Sequence, residues 1–524
     1  MIRLRQVKVL INNDLKKEIA KKLKVKIDDI KDYKIIKKSI DSRYKPKIYY
    51  VYEVDVDANN EDKILKKINN NDIFKTPIEE YKFIPSGTNK LNNRVIIVGS
   101  GPCGLFCAYM LSSYGYKVLI IERGSDVDTR INKVNEFWEN NNLDCECNVQ
   151  FGEGGAGTFS DGKLNTLIKD KDYRMKKVFE IFVDNGALQD IMYESKPHIG
   201  TDILVSVVKN IRNKIIDNGG IIRFNTKLTN IKYENNNITS IIVNDNEEIK
   251  CDCLVLAIGH SARDTFKMLY ENKILMEPKP FAIGVRIQHD QELIDNNQYG
   301  INHDKILEKA SYKLTHTCKN KRGVYTFCMC PGGYVVNSSS EDNMLAINGM
   351  SYHDRDSKIA NSAVIVTVSP KDFGYNPLDG IEFQRKLETI TYKVGNGLIP
   401  VQLFRDFINN KESTRLGSIE PKFKGKYKLS NLNLIFPEYI LESLKEGIYA
   451  FDKKIKGYAS DDAILAAIES RTSSPIRIIR DEYFESNIKG IYPSGEGAGY
   501  AGGITSSAVD GIKIAEAIMN KYSK

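Results

Sequence analysis

The stretch that leaves this chain least freedom is RVIIVGSGPCGL, Arg94 to Leu105. Val95 to Val98 read as a buried strand, too short and too β-branched for a helix. Glycines follow at Gly99, Gly101 and Gly104, in G-x-G-x-x-G spacing. Gly99 permits a tight turn, Gly101 lets backbone approach a diphosphate, and Gly104 lets the next helix pack closely on the sheet. Pro102 suits the first helical position, where a missing N–H costs nothing. Gly115 reads as the stop. A second buried strand, KVLIIERG, then ends on Glu122, about 20 residues on, where an acid can meet a ribose hydroxyl. A glycine turn alone would be ordinary loop geometry. Strand, turn, helix, strand and acid together predict dinucleotide binding.

Length and composition set the frame. A chain of 524 residues, 41% hydrophobic and 27% charged, has room for two or three globular domains. No apolar run approaches a membrane span, and MIRLRQVKVL lacks the apolar core of a signal peptide, so a cytoplasmic protein is expected. Six of the 9 cysteines form C-x-C pairs, at 145/147, 251/253 and 328/330. An odd count without C-x-x-C argues against a disulfide framework, and no metal is assigned. On a strand each pair would put both sulfurs on one face. Residues 1–92 hold 22 Lys and Arg against 14 Asp and Glu, the whole of the net charge of +8. That surplus reads as a solvated basic surface, with nucleic acid the less favoured alternative.

Taken in order, residues 1–90 read as a small α+β module, with a ferredoxin-like sandwich as the candidate topology. Pro85 to Arg94 reads as a linker. Residues 91–274 read as the first part of a dinucleotide-binding domain. They contain a second glycine-rich loop, QFGEGGAGTFSDGKLNT, where Gly154, Gly155, Gly157 and Thr158 suit close approach to a ligand. A β-meander follows, and EEIKCDCLVLAIG reads as a return strand ending at Ala257 to Gly259, with a helix from Ser261. Residues 275–470 lose the βαβ rhythm and read as an inserted substrate or lid domain. Residues 471–524 return to the first domain through a glycine-rich turn and a final helix.

These glycine stretches resemble the FAD-dependent oxidoreductases of the glutathione-reductase superfamily. More narrowly, the chain resembles an uncharacterised bacterial FAD-dependent dehydrogenase family, through FGEGGAGTFSDGKL, PKPFAIGVRI, TFCMCPGG and GEGAGYAGGI at 151–164, 278–287, 326–333 and 495–504. The resemblance implies an α/β fold: a Rossmann-type FAD-binding domain with an inserted α+β domain. It implies that Gly99, Gly101, Pro102 and Gly104 hold the diphosphate, and that Glu122 and Arg123 lie at the adenosine ribose. Leu228 would lie against the adenine, and Ala257 and Gly259 beside the cofactor. Gly495 and Glu496 would meet the ribityl chain, and Gly502, Gly503 and Ile504 the flavin pyrimidine. Two features of the wider superfamily are missing: a second G-x-G-x-x-G unit for NAD(P)H and a C-x-x-x-x-C redox pair. Electrons are therefore expected from substrate, from transient NAD(P)H or from a protein carrier.

Flavin performs the electron transfer; the protein places a substrate and manages a proton. Lys163 is the candidate anion site, with an exposed loop lysine as its alternative. His198 is a candidate proton donor, against a structural turn histidine. Arg286, His353 and Arg355 are candidates to clamp a carboxylate, against a solvated loop for the last two. Cys328 and Cys330 read as a dithiol facing the flavin or as inert buried thiols. The expected function is an FAD-dependent oxidoreductase acting on a small organic substrate. The alternatives are a flavoprotein acting on RNA or another macromolecule through the basic N-terminal module and, more weakly, a non-catalytic flavin-binding scaffold.

Overall fold

The computed structural model describes residues 1–524. Its centre is a five-stranded parallel sheet in the order Ile491–Pro493, Leu254–Leu256, Val95–Val98, Val118–Ile121, Ile221–Arg223. Val95–Val98 lies in the middle, with Ile96 beside Leu254 on one side and Leu119 on the other. Every residue of that strand is buried, as a parallel sheet covered on both faces requires. Helices Pro102–Ser113, Thr201–Asp217 and Ile504–Lys521 share a core with one face. The other face is covered by a meander of Leu228–Glu234, Asn237–Val243 and Glu247–Lys250, through Leu228, Ile231 and Ile241. This is the Rossmann-type α/β fold that the glycine spacing implied.

Some local expectations need correcting. The run EEIKCDCLVLAIG is two strands: Glu247–Lys250 belongs to the meander and Leu254–Leu256 to the central sheet. Cys251 and Cys253 fall between them, and Cys145 and Cys147 lie outside any strand, so neither pair shares a strand face. The following helix begins at Arg263, not Ser261. The expected linker is tied down: Asn89–Lys90 pairs with Tyr522–Ser523, and the Gly87 amide donates to Met519 O at 3.0 Å.

A second sheet has seven strands, in the order Thr315–Thr317, Gly323–Cys330, Ile359–Val368, Phe281–Asp290, Ile464–Glu469, Ile399–Leu403, Tyr427–Leu429. Only the last pair is parallel. Helices Gln291–Tyr299 and Glu438–Asp452 pack on it through Ile294, Leu444 and Ile448, in a core that includes Ile283 and Val285.

The N-terminal module is a βαββαβ unit. Its antiparallel sheet runs Ile30–Tyr44, Lys47–Ala58, Ile2–Leu10, Ile73–Lys75, the strand order of a ferredoxin-like sandwich. The apolar phase slip near Gln6 is a bulge between Leu4 and Val7, with Gln6 at φ 53°. Several of its basic residues face internal partners: Arg3 pairs with Asp55 and Glu79, and Lys8 and Arg43 share Asp41. The RNA alternative finds no support here. The long hairpin reaches beyond its own sheet. Lys38 exchanges backbone hydrogen bonds with Tyr193 and Ser195, and Ile48 enters the core of the seven-stranded sheet. No helix is long and apolar enough to cross a membrane.

Candidate functional site

The first turn is built by close approach. A Cβ on Gly99, at φ +99°, would stand 2.4 Å from Ala257 O, and one on Gly104 would stand 2.0 Å from Gly99 O. These two glycines are dictated by packing. Gly101 differs: its nearest neighbour would be the Gly155 Cα at 3.8 Å, so the second glycine loop lies opposite the turn. Two side chains hold that loop. Glu122 accepts from Ser100 N and Oγ at 2.9 and 2.8 Å, and from Gly124 N and Gly152 N at 3.0 Å each. Arg130, fully buried, donates to the carbonyls of Asn148, Val149, Gly152, Glu153 and Gly155. Such a guanidinium satisfies acceptors that a buried glycine loop would otherwise leave open.

Turn, loop and the two sheets enclose a cavity of about 350 Å³. Gly101 and Gly503, which precede the helices Pro102–Ser113 and Ile504–Lys521, both line it. So do Gly259, Gly502 and Gly503, where a Cβ would meet no protein atom within 4 Å. Lys163 Nζ and His260 Nε2 are buried residents of the same cavity and have no hydrogen-bond partner. Free helix amides, glycine walls and unpaired polar atoms fit an FAD-sized anionic cofactor, its diphosphate at a helix N-terminus.

A cluster of titratable groups stands at the part of the cavity formed by the seven-stranded sheet. Burial opposes a charge on Lys163, but Asp161, 3.6 Å away, together with Cys330 and Cys328 outweighs it and keeps the ammonium charged. Asp161 is in turn held by Arg355, with Nη2 at 2.7 Å. Burial pushes the Glu469 carboxyl up to about 7 although Arg286 Nε lies at 2.7 Å. Burial likewise lifts Glu496 to about 7, with Lys279 opposing. His260 is pushed down to about 3 by burial, then by Arg471 and Arg263. It is therefore neutral, and its 3.6 Å approach to Glu496 is not an ion pair.

Most of the residues expected at the cofactor line the cavity: Gly99, Gly101, Pro102, Glu122, Arg123, Gly155, Gly157, Leu228, Ala257, Gly259, Glu496 and Gly502 to Ile504. Gly104, Gly154, Thr158 and Gly495 stand behind them. Gly154 N donates to Ser100 O at 2.9 Å, and Gly495 N to Asp510 at 2.7 Å. Arg123 is engaged by Glu146 and Asp264, with its guanidinium 4.1 Å from the Phe151 ring centre.

Of the lysine, histidine and arginine candidates only Lys163 reaches the cavity. His198 and His353 stack at 5.2 Å, each ring bonded to a backbone carbonyl of the other's segment, and line no part of it. Arg355 is buried on Asp161 rather than solvated. Arg286 is fully buried behind the wall, spent on Glu469, Asn361 and Cys328 O, so it cannot clamp a substrate carboxylate. Sequence reasoning missed Arg130, His260 and Arg471. Away from the cavity, His316, Cys318 and Glu446 bring ligand atoms within 4.8 Å of one another. That carboxylate is already engaged by His316 and the Lys319 amide.

Residues 280–472 match the C-terminal domain of FAD-dependent proteins, and 97–152 an NAD(P)-binding Rossmann-like domain. Residues 1–57 match a domain of unknown function. Over 530 residues the chain is 51% identical to an uncharacterised protein of Clostridium beijerinckii, covering 99% of each. Among solved structures, glycerol-3-phosphate dehydrogenase from Bacillus halodurans with FAD is 10% identical at a TM-score of 0.35, covering 82% of this chain and 64% of that one. L-proline dehydrogenase from P. horikoshii is 13% identical at 0.34, covering 83% and 94%. At these scores neither bears on the site.

Proposed function

Because the chain belongs to one family with the Clostridium beijerinckii protein and carries the C-terminal domain of FAD-dependent proteins, we propose that it is an FAD-dependent dehydrogenase or reductase. It moves an electron pair between flavin and an organic substrate bound against the seven-stranded sheet. The observation that carries this reading is the set of unfilled glycine positions, Gly259, Gly502 and Gly503, opening on the cavity that also holds Lys163.

Each residue has a task in that reading. Gly101 and Gly155 meet backbone to backbone and border the cavity where the diphosphate would lie, beside the free amides of helix Pro102–Ser113. Glu122 already has four donors, so its first task is to tie the loop to the turn. The Ser100 hydroxyl is the one donor that can rotate away in favour of a ribose hydroxyl. Leu228 offers an apolar face for the adenine. Bound FAD supplies a two-electron acceptor ring. The N-terminus of helix Ile504–Lys521 offers positive potential to a ring that becomes anionic on reduction. Lys163 supplies a fixed positive charge for an anionic substrate or product, and Glu496 a carboxyl poised to hold a proton near neutral pH. NADH or NADPH, as a donor, would visit the cavity transiently.

The visible spectrum of the purified protein tests this first. A yellow protein that releases FAD on acid treatment is expected. A colourless protein that takes up no added FAD overturns the reading.

A further inference from the structure

Cys328 and Cys330 close the strand Gly323–Cys330, which is not regular at that end. Its pairing with Ile359–Val368 slips between Phe327 and Cys330, and Cys328 has φ 42°. An extra residue thus bulges from the sheet, in a conformation that costs any residue with a Cβ. The bulge brings Cys328 to the cavity wall, while Cys330 stays fully buried behind it. The Cys330 thiol donates to the Cys328 carbonyl oxygen at 3.3 Å and lies beside the Cys328 sulfur.

The charges around the pair favour a thiolate. Lys163 and Arg286 face it, the first without a hydrogen-bond partner and the second donating to Cys328 O at 3.2 Å. Asp161, Glu469 and Glu496 face it with opposite sign, but burial keeps the last two reluctant to ionise. The Cys330 hydrogen bond, then Lys163 and Arg286, hold the Cys328 thiol below the ordinary range, and the Cys330 thiol is raised. Burial pushes Cys103, Cys107, Cys145, Cys251, Cys253 and Cys318 the other way. A low-pKa thiol beside a buried resolving thiol is the arrangement of a redox pair.

We propose that Cys328 and Cys330 are a redox-active dithiol that exchanges an electron pair with the flavin, so that the substrate of this enzyme is a dithiol–disulfide couple. This rests on the FAD reading above. In the oxidising direction the Cys328 thiolate and the Cys330 thiol join through a sulfur–sulfur bond. They give up two electrons and the one proton of Cys330, which pass to oxidised flavin and leave it as the singly protonated anion. A dithiol substrate reopens the bond by thiol–disulfide exchange and leaves as its disulfide. One of its protons restores the Cys330 thiol and the other goes to solvent, leaving Cys328 a thiolate.

Anaerobic dithionite titration of the FAD-loaded protein, with a count of alkylatable thiols before and after, tests this. The oxidised wild type should consume two equivalents per flavin, its thiol count should rise by two, and peptide mapping should place the bond between Cys328 and Cys330. Cys328→Ser and Cys330→Ser should each consume one equivalent. A yellow wild type that consumes one, with all its cysteines alkylatable throughout, overturns the proposal and leaves the FAD reading standing. A bond mapped elsewhere does the same. A protein that binds no FAD overturns both. The wild-type titration and map decide alone if a serine variant does not fold.

Discussion

Glu153 shows how much one buried group can carry in this fold. It has no solvent exposure, accepts from Val127 N at 2.8 Å and Arg212 at 2.9 Å, and leaves Oε1 without a partner. Burial lifts its carboxyl to about 7 against the pull of Arg212. The folded state therefore holds this proton more tightly than the unfolded chain does. The stability it contributes is full below the ordinary carboxylate range and is lost as pH rises through about 7. In urea unfolding, the wild type's advantage over Glu153→Gln should be greatest below pH 5 and shrink by pH 8, by at most about 3 kcal/mol. A difference that does not change with pH refutes this. At this scale the glycines were legible, because backbone geometry alone demands them at Gly99 and Gly104. Arg130 was not: in VDTRINKVNEF it looks like any arginine on a helix face. Its five acceptors lie in a loop about 20 residues on, in a conformation no spacing rule announces. The same holds for Arg355, whose partner Asp161 is remote in sequence.

Elements from different parts of the chain are joined at the cavity by one buried cluster. Arg263 begins the helix Arg263–Glu271, Glu388 lies on the helix Asp379–Gly395, and Arg471 follows the strand Ile464–Glu469. Both arginines reach the Glu388 carboxylate, at 2.7 and 2.8 Å, and hold it far below the usual carboxylate range against its burial. Arg471 also lines the cavity. Removing one partner from such a set leaves buried charge uncompensated, so Glu388→Gln should cost about 3–5 kcal/mol in equilibrium unfolding. The same variant should bind FAD more weakly, read by flavin fluorescence; unchanged stability would show the cluster to be dispensable. The βαβ elements were legible because each is local, with its stop and start signals within a few residues. On the second sheet the helix Gln291–Tyr299 was hidden, since QELIDNNQY offers just Leu293, Ile294 and the terminal Tyr299 as apolar anchors. The helix Glu438–Asp452 did carry a signal, with Leu441, Leu444, Ile448 and Phe451 on one stripe, and was overlooked among turn-separated strands.

On the scale of the whole molecule, the cavity is walled by both sheets, so a ligand there should stabilise everything it touches. FAD present at 100 times its dissociation constant should add about 2.7 kcal/mol to unfolding. Thermal denaturation followed by circular dichroism, with and without FAD, measures this; a midpoint that ignores FAD means that the folded protein does not bind it. Sequence pattern reported the central sheet and missed how the N-terminal hairpin locks on, because the Lys38 contacts with Tyr193 and Ser195 are backbone bonds that leave no residue signature.

The walls of the cavity also come from stretches about 400 residues apart, Gly99, Gly101 and Pro102 in the first and Gly502 to Ile504 in the second. On a ribosome adding about 5–20 residues per second, the second stretch emerges about 20–80 seconds after the first. During that interval the nascent chain exposes a glycine turn with no helix Ile504–Lys521 to pack against it. Cofactor capture should therefore await emergence of the helix Ile504–Lys521, and a transcript cut short before Gly502 should give a colourless chain.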